Sequence, residues 1–182
     1  MYFPMLSVFA AAATAIDIGL YNNDICNPRS TVHVMCTNAD PGECCSASTD
    51  RWSSDKVWAA TSFHQIPTEW NIEGRTYHER DCQGGFKTAR SEGKTEICKA
   101  WAQVQGPIIS GSYHFVGANG RERRRGDSRP CRRADTLVLA DGAEYDLRSL
   151  DEAHFSTLFE LAANAENLTT ADIPAGLAAF RK

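Results

Sequence analysis

Thr31-Val32-His33-Val34-Met35-Cys36-Thr37-Asn38-Ala39-Asp40-Pro41-Gly42-Glu43-Cys44-Cys45 carries three instructions in one short stretch. Thr31 to Cys36 is a short apolar run bounded by turn formers, which reads as a strand. Asn38 to Gly42 follows as a turn, where Pro presets φ and Gly accepts values that other residues resist. Cys44 and Cys45 are adjacent. In extended backbone, successive side chains leave on opposite faces, so this pair ties one point of the chain to two different partners.

The same rhythm continues on both sides. From Ile16 to about Leu139 the apolar residues come in short runs, the clearest being Lys56 to Phe63, Ile97 to Val104, Ile108 to Val116 and Thr136 to Leu139. Gln83-Gly84-Gly85 and Asn119-Gly120 punctuate them as further turns. Short strands at this spacing predict an antiparallel β sandwich or barrel. Trp52, Trp58, Trp70 and Trp101 all fall in this part and are expected in or near its core. After Arg148 the pattern changes. Ser149-Leu150-Asp151-Glu152 has the capping-box form, and Phe155, Leu158, Phe159 and Ala162 recur at helical spacing, so a helix is predicted from about Asp151 to Ala165. A second begins near Asp172, with Pro174 in its first turn and Ile173, Leu177 and Phe180 on one face. Two short helices cannot bury a core alone and must cover the β part. The class is therefore α+β, mainly antiparallel sheet, with a disulfide-stapled β region at 16–148 and a helical cover of the same domain at 149–182.

The chain has 182 residues, 42% hydrophobic and 23% charged, which suits one globular domain and excludes collagen-like, coiled-coil and wholly disordered chains. No run of eighteen apolar residues is present, so no spanning helix is expected. Residues 1–15 end on Ala13-Thr14-Ala15, the small-x-small pattern that a signal peptidase accepts, and read as a signal peptide. All the cysteines lie beyond it: Cys26, Cys36, Cys44, Cys45, Cys82, Cys98 and Cys131. None has the paired CxxC spacing of a tetrahedral zinc site, so no metal or other cofactor is expected and disulfides are the reading in an oxidising compartment. Seven is odd, so three bonds leave one thiol, and Cys131 is expected to be that member from its place in a loop. Asn167-Leu168-Thr169 fits the N-glycosylation rule.

Charge is uneven. The whole chain sums to −4, yet 121–133 carries seven Arg against two acidic residues. Arg121, Arg123, Arg124, Arg125, Arg129, Arg132 and Arg133 thus crowd a predicted connection at 117–134. Three uses compete for it: processing at Arg121-x-Arg123-Arg124 or Arg132-Arg133, docking on an anionic surface, and a solvated loop whose charges pair with the acidic C-terminal helices. If Cys131 were bonded to the part before a cut, processing would leave a toxin-like two-chain protein. The partner class is a protein or an anionic surface ligand, ahead of nucleic acid.

No zinc-protease, nucleophile-elbow or phosphate-loop motif occurs. The best catalytic set is that of a metal-free ribonuclease: His78, Glu79 and Arg80, with His64 or His114 as a second base. In a strand, however, His78 and Glu79 face opposite sides. Ile16-Asp17-Ile18-Gly19-Leu20-Tyr21, then Cys26, Cys36 and Pro41-Gly42-Glu43-Cys44-Cys45, resemble small secreted cysteine-rich proteins of filamentous fungi. That resemblance implies an extracellular, effector-like protein that works by binding at a host or cell surface rather than by catalysis.

Overall fold

Alternation in β1 (Ile16–Tyr21) sets the architecture: Ile16, Ile18 and Leu20 are buried on one side, while Asp17 and Tyr21 leave on the other. β1 pairs antiparallel with β2 (His33–Ala39) and with β4 (Ala60–His64). β7 (Ile97–Ala100) extends the sheet beyond β4, and β10 (Thr136–Val138) and β11 (Glu144–Asp146) extend it beyond β2, in the order β11-β10-β2-β1-β4-β7. A second sheet has the order β6-β5-β8-β3-β9, built from β3 (Cys44–Ser46), β5 (Ile72–Tyr77), β6 (Phe86–Arg90), β8 (Ser110–Phe115) and β9 (Cys131–Arg133). Among the described residues every strand pairing is antiparallel except β3 with β9. The computed structural model describes residues 15–29, 31–47, 58–100, 108–117, 131–165 and 167–182. Residues 1–14 of the predicted leader, Trp52, Trp101 and Asn119-Gly120 lie outside them.

The two sheets pack face to face as a sandwich, and two glycines let them approach. A Cβ built on Gly74 of β5 would run into the ring of Phe63 in β4, and one on Gly111 of β8 would lie 2.9 Å from Thr61 Cγ2. Three disulfides staple the result: Cys36–Cys45 between β2 and β3, hence between the sheets, Cys44–Cys82 and Cys26–Cys98. Cys44 and Cys45 do take different partners. Cys26–Cys98 joins residues 72 apart, so loop closure assigns it about 4 kcal/mol, more than the bridge spanning only nine residues.

The β-rich, disulfide-stapled architecture with a helical cover is the one predicted. α1 (Glu152–Asn164) buries Phe155, Leu158, Phe159 and Ala162 in the same core as Leu20, Val34, Leu137 and Tyr145. Its N-cap is Asp151, whose carboxylate accepts the His154 N–H, rather than the expected Ser149. At the other end the Asn22 amide donates to the carbonyls of Ala162 and Ala165. The second predicted helix is wound as a 3₁₀ helix over Ala175–Phe180. Leu177 and Phe180, three residues apart, suit that tighter winding, which is usual in short pieces. Trp58 is buried with its ring edge on Phe159, and Trp70 packs against Phe115.

Gly74→Ala should cost about 1–3 kcal/mol through overpacking against Phe63. Chemical denaturation checks this: the midpoint should fall with an unchanged slope.

Candidate functional site

Because Phe63 turns inward, Ser62 and His64 of β4 leave on the outer face of the first sheet, with Asp17 and Tyr21 of β1 and His33 of β2. Tyr21 Oη lies 3.0 Å from His64 Nε2, and the Ser62 hydroxyl bonds the same nitrogen. His64 Nδ1 lies 3.5 Å from Glu96 Oε1. The Tyr21 ring stacks on His33 at 4.4 Å and 12°. His33 Nδ1 lies 2.8 Å from the Thr31 carbonyl, a distance that assigns the proton to this nitrogen and a lone pair to Nε2. Burial pushes His33 down to about 4, lowers His64, and raises Tyr21. All three are neutral at pH 7.

Beside this network lies a cleft of about 330 Å³. His33, Met35 and Thr37 of β2 form its floor with Val138 of β10. Asp17, His64 and Gln65 stand on one side, Glu144 of β11 on the other, and Pro28 adds a lining residue from the loop after β1. Cys26–Cys98 ties that loop to β7, and Tyr21, Cys26 and Ala60 form a small apolar cluster beneath it. Pro28 thus lies two residues from a covalent tie to the sheet. Ser62, His64 and Glu96 stand in the order of nucleophile, base and acid, but Ser62 is 0% exposed and its Oγ is out of reach of a substrate.

A near-repeat underlies the geometry and escapes a reading by strand propensity alone. Ile-acid-x-x-x-Tyr occurs at 16–21 and at 72–77, and Ser-aromatic-His at 62–64 and at 112–114. In the second sheet Glu73 faces His114 across the ladder as Asp17 faces His64 in the first. Tyr77, Ser112 and His114 are linked there at 3.3 and 3.4 Å. Glu73 differs in pairing with Arg75 and Arg90, and Arg75 covers the exposed Phe86 ring. The internal repeat of motif and spacing was the available signal.

The ribonuclease set is dispersed. Tyr113 points into the core, so His114 projects from the outer face of the second sheet, opposite to His64. His78 follows Tyr77 at the end of β5 remote from the Glu73–His114 pair. The Glu79 carbonyl accepts the Ser110 hydroxyl, its side chain lies against Gly84, and Arg80 starts a 3₁₀ turn.

The predicted loop at 117–134 is corrected at its C-terminal end, where residues 131–133 form β9 against β3. Arg132 pairs with Glu43 at 3.0 Å and Asp135 at 2.8 Å, and donates to the Thr37 carbonyl. Arg133 pairs with Glu152, donates to the Leu150 carbonyl and covers the Phe155 ring at 4.3 Å. Arg121, Arg123, Arg124, Arg125 and Arg129 lie outside the described residues. Cys131 carries an exposed free thiol, so the bridge that would join two processed chains through it is not formed. Partial burial, then the Asp81 carboxylate, push this thiol up to about 11. Asn167 is exposed beside buried Leu168. Among the described residues no group of three or more His, Cys, Asp or Glu is placed to hold a metal, and no helix is long and apolar enough to cross a membrane.

Fold and cleft together define a class: a disulfide-stapled two-sheet β protein with a preformed polar cleft on one outer face. Residues 17–135 match the ARB_05566_N family, described as an N-terminal domain, and the chain belongs to that family. No curated protein and no solved structure matches it.

Two outcomes are expected. The unfolded chain binds a proton at His33 more readily than the folded one, so stability should fall as pH drops from about 6.5 to about 4, by on the order of 3 kcal/mol from this group. His33→Phe should flatten that part of the curve in denaturation measured against pH. Thiol titration should find one reactive group in the native protein, Cys131, reacting faster as pH rises towards about 11, and none in Cys131→Ser.

Proposed function

We propose that the protein is secreted and acts by binding at a host or fungal surface, in the manner of the effector-like cysteine-rich proteins it resembles. One observation carries this reading: the cleft is lined by strands of one sheet and by Pro28, two residues from the Cys26–Cys98 bridge, so its walls are held by the ladder and a disulfide rather than by a ligand. Preorganisation of this kind removes part of the ordering cost of association. The three disulfides suit an oxidising compartment, the N-terminal stretch suits export, and exposed Asn167 suits glycosylation in the same pathway. A contact through Arg132 or Arg133 with an anionic surface is disfavoured, because both guanidinium groups are already paired with carboxylates. Hydrolysis of RNA is disfavoured by the separation of His64 from His114 on opposite outer faces.

Expression of the full chain in a filamentous fungus tests this. The medium should contain protein lacking residues 1–15, oxidised at six cysteines and retained on hyphae or host cells. Met35→Trp, which fills the cleft floor, should abolish retention without loss of secretion. Retention of neither protein, or equal retention of both, would overturn the reading. RNA cleavage by the disulfide-intact protein, lost in His64→Ala, would replace it with the nuclease.

A further inference from the structure

The polar groups around the cleft are mostly acceptors. Asp17 accepts from the Asn38 N–H at 2.8 Å and the Gln65 amide at 2.7 Å, one bond to each carboxylate oxygen, which leaves lone pairs on both. Thr37 donates its hydroxyl proton to Asp135, so its oxygen keeps acceptor capacity. Neutral His33 has its proton at Nδ1 on the Thr31 carbonyl and, at 1% exposed, gives the floor an uncharged surface. Glu144 adds a second carboxylate across the opening. Met35, Val138 and Pro28 supply the apolar surface between them. Lys182 shows the chemistry within the chain itself: its ammonium group lies 2.7 Å from Thr136 Oγ1 and 3.5 Å from Glu144 Oε2.

We propose that this cleft binds a primary alkylammonium group, with the charge placed between Asp17 and Glu144, N–H bonds made to acceptors of β2, and a short methylene stem lying on Met35 and Val138. The proposal rests on the binding reading above and names its ligand class. A cation suits the site for three reasons. Asp17 and Glu144, the latter shared with Lys182 at 3.5 Å, line one space, the two imidazoles stay neutral at pH 7 and do not repel a cation, and an anion would meet lone pairs on the same walls. The volume, at the small end of ligand sites, fits a side-chain-sized group rather than a nucleotide or a folded segment. Two sources share the chemistry: a free diamine and a lysine side chain of a protein.

The test uses the full oxidised chain at pH 7 with n-butylammonium as probe, read by calorimetry and by the imidazole resonances of His33 and His64. Saturable binding is expected with Kd on the order of 1 mM, moving both sets of resonances. Glu144→Gln should weaken it about fivefold, and Lys182→Ala, which removes a competing ammonium, should tighten it about threefold. Both side chains are partly solvent-exposed, so the fold should survive either change. n-Butyrate should not bind. 1,5-Diaminopentane and an acetylated lysine amide then distinguish the sources, since the tighter of the two identifies the natural one. No saturation up to about 50 mM in protein with dispersed imidazole resonances, or equal binding of n-butanol, would overturn the proposal. Equal binding of n-butanol would still leave the cleft a ligand site. Retention on cells that Met35→Trp leaves unchanged would remove the cleft from the function altogether.

Discussion

Two adjacent half-cystines govern this molecule. Extended backbone at Cys44-Cys45 sends one sulfur inward to Cys36 of the opposite sheet and the other outward to Cys82, so a three-residue strand is held from both sides. β3 is too short to hold its place by ladder bonds alone, yet it pairs with β8 on one edge and β9 on the other. The covalent links make that position permanent. They also fix the spacing of the sandwich, into which Gly74 and Gly111 fit by lacking a side chain.

The same economy shapes the outer faces. Each sheet turns a tyrosine, a serine, a histidine and an acid outward at matching register, and the polar groups satisfy one another. A stapled loop stands beside each set: the one holding Cys26 beside the first, and the turn holding Cys82, which bonds Ser110, beside the second. Burial is what keeps His33 and His64 uncharged, and the cleft borrows its electrostatic character from this. In the second sheet Glu73 pairs instead with Arg75 and Arg90.

Much of the fold was legible because its signals are local. The run at 31–36 became β2, displaced to 33–39 because the strand continues through the expected turn residues Asn38 and Ala39. The stripe Phe155, Leu158, Phe159 and Ala162 marked α1 on the buried side it occupies. β5 and β6 were less visible, since Glu73, Arg75, Thr88 and Arg90 line their outer face and Gly74 stands where an apolar residue would have completed the alternation. The cleft could not be read at all. Asp17, Pro28, Thr37, His64, Val138 and Glu144 come from distant points, and only the order of strands in the sheet brings them together. Arg132 and Arg133 misled for a related reason: their sequence neighbours are basic, but their spatial neighbours are Glu43, Asp135 and Glu152.

The family match stops at residue 135, one position before β10 begins. That limit cuts through a sheet. A polypeptide ending there would leave the backbone of Met35, Val34 and His33 without the ladder that Thr136 to Val138 provides, and would strip the core of Leu137, Tyr145 and the whole inner face of α1. An uncapped strand edge beside bare aliphatic surface is a template for self-association. The homology limit and the smallest autonomous folding unit therefore diverge, and the latter needs the C-terminal strands that the former omits.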